Sequence, residues 1–306
     1  MEAKEQRTQH EERDEQEDAD GEPDLDPAEN QARERETVAL DRARRRAADF
    51  VARDMAEDDG DDRADDYERF RPGYPPALLE WLRAHGALPP RAIVADIGAG
   101  TGVSSEPFLD AGCAFFAVEP SAPMRASAER RLGRRAGFRA IDGRAEATTL
   151  ASASIDLAVA ATAFHWFDQA AARVEFARIL KPTGRVALFW NVRNLDSEFM
   201  RGYEAALRAH SAEYASKDTR QRADERAITA FFGTPHFEKA VFANAQTLDF
   251  EGLLGRAQSS SHAPRPGDPR HTPLAAALRT LFDRTAENGR VAMLYDTRLY
   301  LGRLDT

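Results

Sequence analysis

The 306-residue chain is long enough for one large domain or two small ones, and its net charge of −10 is unevenly spread. Residues 1–66 hold 25 Asp and Glu against 11 Lys and Arg, so the remainder stands at +4. A body so near neutrality offers no phosphate-binding stripe, no stretch approaches the roughly 20 apolar residues of a membrane span, and one cysteine excludes an internal disulfide or a cysteine-rich metal site.

A soluble, cytoplasmic protein without nucleic-acid or membrane partners is therefore expected. Residues 1–35 are almost devoid of large apolar side chains and cannot offset the entropy of ordering, which predicts disorder. Leu40, Ala43, Ala47, Phe50, Val51 and Met55 recur at near-helical spacing, which predicts a short amphipathic helix over 38–55. An acidic run from Glu57 to Asp66 follows, so the extension is drawn as 1–62 and the folded domain as 63–306.

The domain opens on Tyr67-Glu68-Arg69-Phe70-Arg71-Pro72-Gly73-Tyr74-Pro75, whose prolines with Pro76 delay a helix until about Ala77. Leu78, Leu79, Trp81 and Leu82 then form a helical apolar face. Ile93 to Ile97 reads as a buried parallel strand, and Gly98, Gly100 and Gly102 as a turn where no side chain keeps a ligand from the backbone. A helix from Val103 to Leu109 and a second strand, Ala114 to Val118, lead to Glu119. Cys113, just before that strand, reads as a small buried side chain. A strand, a glycine turn, a helix and a strand tipped by a carboxylate make a nucleoside-binding unit, because the acid accepts hydrogen bonds from ribose hydroxyls. Its ligand is a dinucleotide or S-adenosylmethionine. The dinucleotide pattern G-x-G-x-x-G fails at Val103; the glycines run G-x-G-x-G after Asp96.

Pro120 to Met124 begins the next helix, and Phe138 to Ile141 is a third strand followed by Asp142-Gly143-Arg144-Ala145-Glu146. Ile155 to Ala161 is a fourth strand, and the loop Thr162 to Asp168 at its carboxyl end faces the same cavity as the glycine turn. A helix over Ala170 to Leu180 stops at Lys181-Pro182-Thr183-Gly184, and Arg185 to Trp190 is strand five. Helices are expected over Glu198–Tyr214 and Ala223–Phe232, and strands six and seven over Phe237–Leu248 and Arg290–Leu301. The segment between those strands, about 249–289, holds the stretch Leu253–Arg256 and a helix over Leu274–Glu287 and reads as a lid-like insertion. Its Ser259-Ser260-Ser261-His262 run is a polar loop, since no G-x-S-x-G elbow supports a hydrolase.

Asp96 to Gly102 (DIGAGTG) with Glu119 resembles the first motif of class I S-adenosylmethionine-dependent methyltransferases. Residues 67–75, 162–168 and 180–193 resemble a small-molecule branch similar to trans-aconitate methyltransferase, and the likeness covers about residues 63–304. The resemblance implies an α/β, Rossmann-like, doubly wound seven-stranded sheet in the order 3-2-1-4-5-7-6, the last strand antiparallel, with helices on both faces. It implies S-adenosylmethionine as cofactor, no metal, and a small-molecule acceptor that is a carboxylate, hydroxyl or carbon acid. Asp96, Gly98, Gly100, Gly102, Glu119, Met124, Ala145 through its backbone, Phe164, and Arg71 on the methionine carboxylate would hold the cofactor. His165 becomes a candidate base, and Trp166 and Asn191 would face the substrate. The chain departs from the family at Arg144, where an Asp usually meets the adenine amine; Asp142 and Glu146 are the candidates to replace it. A nucleoside-binding protein without catalysis and an NAD-dependent oxidoreductase stand as alternatives.

Overall fold

The computed structural model describes residues 69–216, 224–260, 263–264 and 266–305. The chain falls into two units, Met1–Val51 and Ala52–Thr306. The first unit, with the predicted disorder at 1–35, lies outside the described residues, as do the helix over 38–55, the acidic run, Tyr67, Ser261 and His262.

Within the second unit the strands are β1 Ile93–Ile97, β2 Ala114–Val118, β3 Phe138–Ile141, β4 Ile155–Ala161, β5 Leu180–Arg193, β6 Glu238–Leu248 and β7 Val291–Gly302. They form one sheet in the order β3-β2-β1-β4-β5-β7-β6. The first five run parallel, and β7 is antiparallel to both β5 and β6. This is the expected doubly wound topology. Apolar runs in β1 and β4 follow from burial on both faces, whereas β6, at the edge, alternates half-buried and exposed residues.

Alternate residues of each strand supply two cores. On one face Val94, Phe115, Leu157, Phe189 and Leu299 pack with α1 (Pro76–Ala84), α2 (Ser105–Asp110) and α3 (Ala122–Leu132). On the other, Ile97, Ala158, Leu188 and Trp190 pack with α4 (Gln169–Ile179) and, beyond it in the chain, the helix Glu225–Phe232. Cys113 is buried in the first core, and burial pushes its thiol pKa up.

A third cluster joins α5 (Glu198–His210) and α6 (Ala212–Ser216) to the two helices between β6 and β7. With α7 as Glu225–Phe232, those two are α8 (Phe250–Gln258) and α9 (His271–Thr285). The single helix expected over Glu198–Tyr214 is broken at Ser211, whose hydroxyl accepts from the Tyr214 amide and so caps α6. Strand five starts earlier than Arg185: Leu180 already pairs with Ile155, and residues 181–184 are the offset before Arg185 meets Leu157.

Candidate active site

The turn after β1 is built by conformation and by close approach. Gly98, Gly100 and Gly102 have φ of +75°, +57° and +79°. A side chain at Gly98 would bring its Cβ to 2.7 Å from the Ala163 Cβ, so the glycine turn and the loop after β4 touch. At Gly100 a Cβ would meet nothing within 4 Å, which leaves open space over that backbone. The Gly98 amide donates to the Val118 carbonyl at 2.8 Å, fixing the turn against the end of β2.

Glu119 sits at that end. Its Oε2 accepts from the Gly100 amide and its Oε1 from the Ser121 amide, both at 2.9 Å. Arg125 donates to the carbonyls of Glu119 and Pro120 and pairs with Asp142 at 3.1 Å. Burial raises the Glu119 pKa against the opposing pull of the Ser121 and Gly100 amides and Arg125.

Asp96 is fully buried under the turn, and burial pushes its carboxyl up to about 7 although the Ser104 hydroxyl and Ala161 amide pull it down. The Ser104 hydroxyl donates to Asp96 instead of capping α2, and the helix begins at Ser105 rather than Val103. Ser104 is a partner that the sequence reading missed; its place eight residues after Asp96 was the available signal.

The loop after β4 opens with Thr162 at φ +60°, and its hydroxyl lies 3.0 Å from that of Tyr74. A 3-10 turn over Phe164–Trp166 follows. The Phe164 ring is turned into the core against Trp190 and Phe231, which leaves its backbone as the part that could meet a cofactor. His165 is half-buried with its ring 4.8 Å from that of Trp166, which is 51% exposed. Asp168 caps α4, and its amide donates to Glu146 at 2.9 Å, which ties this loop to the one after β3. Ala145 is buried there, Met124 half-buried and Arg144 exposed, with Arg144 beside Glu146 at 3.7 Å.

The segment before α1 crosses the carboxyl ends of β4 and β5. The Tyr74 ring meets Phe189 edge-on at 4.7 Å, and Asn191 donates to the Gly73 carbonyl at 3.0 Å. Asn191 Oδ1 accepts from Thr297 at 2.6 Å and from Asn244 at 3.1 Å. Asn191 thus ties the Arg71–Tyr74 segment to the sheet. Arg71 donates to the Ser259 carbonyl at 2.8 Å, and Phe70 packs so tightly on Gly255 that a Cβ there would lie 2.4 Å from its ring.

Residues 95–188 match a family model described as a methyltransferase domain. An uncharacterized methyltransferase of Mycobacterium tuberculosis is 40% identical over 129 residues, which are 42% of this chain and 50% of that protein. One of Schizosaccharomyces pombe is 33% identical over 138 residues, 42% of this chain and 51% of its own length. The chain thus matches about half the length of these curated relatives. A solved structure from Anaeromyxobacter dehalogenans, provisionally named a type II methyltransferase, superposes with TM-score 0.60 at 23% identity, over 77% of this chain and 98% of that one. Among the described residues no helix is long and apolar enough to cross a membrane. Residues 95–188 are thus similar to a methyltransferase domain, and the sheet order around them is that of the solved methyltransferase structure on which the chain superposes.

Proposed function

We propose that the chain transfers a methyl group from S-adenosylmethionine to a small-molecule acceptor. The observation that carries this reading is the corner where Gly100, open above its backbone, donates to the buried carboxylate of Glu119. On this reading the backbone of Gly98–Gly102 lies against the cofactor and Glu119 accepts from the ribose hydroxyls. Met124 and the Ala145 backbone flank the adenine, and Arg71 takes the methionine carboxylate. Bound S-adenosylmethionine supplies a methyl group already activated on a sulfonium. The chain's task is then to align the acceptor with the methyl–sulfur bond and exclude water. His165 takes a proton where the acceptor is a hydroxyl or carbon acid; a carboxylate acceptor needs no base. Trp166, half exposed beside His165, covers the acceptor. The RPGYP and FHWFD stretches support the small-molecule branch similar to trans-aconitate methyltransferase, as does the near-neutral charge of the body.

Calorimetric titration of the full chain with S-adenosylmethionine, S-adenosylhomocysteine and NAD in parallel tests this. Micromolar binding of the first two alone supports it. NAD binding without the others, or binding of none, overturns it.

A further inference from the structure

The sheet face that carries α1 changes character along three strands. Phe189 and Leu299 are apolar partners; one step toward the carboxyl end of β5 come Asn191 and Thr297, and the next step places Arg193, Tyr295 and Asn244 in one row. Polar side chains from β5, β6 and β7, far apart in the chain, are thus gathered at the end of the sheet where ligands of such folds bind.

Over this patch α5 contributes Tyr203 and α8 contributes Arg256. Tyr203 is 0% exposed and Arg256 is 4% exposed. Arg256 donates to the Tyr295 hydroxyl at 3.1 Å and to the Ser259 hydroxyl at 3.3 Å. Arg193 reaches the Tyr214 hydroxyl and pairs with Glu204 at 3.4 Å, a carboxylate it shares with Arg208. Among the described residues the Tyr203 hydroxyl has no hydrogen-bond partner. A buried hydroxyl in that state is costly in a folded protein and calls for a partner that completes it. The Arg193 guanidinium lies over the Tyr203 ring, 5.9 Å from its centroid. Burial raises the Tyr203 pKa and Tyr295 adds to the rise, while the charges of Arg256, Arg193 and Arg71 pull against it.

We infer that Tyr203, Arg193 and Arg256 form an oxyanion subsite that holds the acceptor by a carboxylate or phosphate group, the Tyr203 hydroxyl donating to it. Guanidinium groups suit either anion, and a phenol donating to an anion makes a charge-assisted bond. The inference rests on the proposed methyl transfer in one respect: it makes the bound anion the acceptor. Ser259 links the two sites, since its carbonyl accepts from Arg71, assigned to the methionine carboxylate, and its hydroxyl accepts from Arg256. The subsite therefore adjoins the end of the cofactor that carries the methyl group. A subsite of this kind anchors one end of the acceptor and leaves the other free to reach the methyl.

The full chain, with and without S-adenosylhomocysteine, is titrated with glutarate, citrate, inorganic phosphate, glycerol 3-phosphate and neutral dimethyl glutarate. At least one oxyanion binds more tightly than the ester, and whether it is a carboxylate or a phosphate identifies the source. Tyr203→Phe removes a hydroxyl that bonds to nothing in the fold, so it leaves melting temperature unchanged or raised while weakening that oxyanion about tenfold. Arg256→Gln weakens it further, and S-adenosylhomocysteine affinity stays the same in both variants. Oxyanions binding no better than the ester, or an affinity indifferent to Tyr203→Phe, would overturn the subsite. Failure of S-adenosylhomocysteine to bind would instead remove the methyl-transfer reading and leave the oxyanion titration readable without it.

Discussion

The carboxylate of Glu119 accepts from the amide of Gly100 at 2.9 Å, so the tip of β2 and the turn after β1 form one unit although 19 residues separate them. Glu119→Ala frees the amides of both Gly100 and Ser121 and removes the proposed ribose acceptor. S-adenosylhomocysteine affinity should fall by about tenfold or more by calorimetry, beyond what the loss of melting temperature accounts for. Unchanged affinity would detach Glu119 from the cofactor.

Two glycines of that turn separate folding from binding. Alanine at Gly98 meets the Ala163 Cβ at 2.7 Å and adopts a positive φ, so Gly98→Ala should cost well over the roughly 1–2 kcal/mol of left-handed strain alone. Gly100→Ala incurs only that strain, because its Cβ enters open space. It should keep most of the stability and lose cofactor affinity. Urea unfolding and ligand titration of both variants check this; equal binding losses at equal stability cost would contradict it.

Asp96 makes stability depend on pH. Its folded pKa, about 7, is raised by burial above that of an unfolded Asp, near 4. Below about pH 4 the group is neutral in both states; between 4 and 7 the unfolded chain ionises first, so stability falls as pH rises. The deficit is complete above 7, with a ceiling of about 4 kcal/mol. Asp96→Asn should remove this slope, gaining on the wild type between about pH 5 and 8 in urea unfolding. Parallel profiles would show that Asp96 stays ionised in the fold.

His165→Ala should lower turnover of a hydroxyl or carbon-acid acceptor about 100-fold while cofactor affinity holds. Undiminished turnover at saturating acceptor would reduce His165 to shaping its loop.

The contact between Gly255 and Phe70 joins α8 to the segment carrying Arg71. Gly255→Ala should destabilise by roughly 1–3 kcal/mol through overpacking, and Phe70→Leu in the same chain should recover part of it. Additive losses in the double variant would place the strain elsewhere.

Much of this was legible in the sequence because it is written locally. Parallel strands covered on both faces appear as apolar runs, and a turn pressed against a neighbouring loop appears as glycines. What escaped depends on partners distant in the chain. Asn191 lies at a strand end, where a substrate contact is a natural reading, yet its neighbours come from Gly73, Asn244 and Thr297. Phe164 lies in a motif that faces the site, but its ring is claimed by Trp190 and Phe231. Tyr203 and Arg256 fit the periodicity of ordinary amphipathic helices, so nothing local distinguishes them from core and surface residues. Ser211 reads as an unremarkable helix residue until its hydroxyl is seen to cap the next helix.

Because β7 lies between β5 and β6, the sheet gains an interior strand from residues 291–302 after both of its neighbours have been synthesised. On the ribosome, β1 to β5 can pair in order while β6 waits without its partner. Completing the sheet depends on the most recently translated strand slotting into a prepared gap, a long-range closure of the kind that slows folding. Until then β5 and β6 expose unpaired edges, and the nascent chain is most prone to mispairing just before β7 is made.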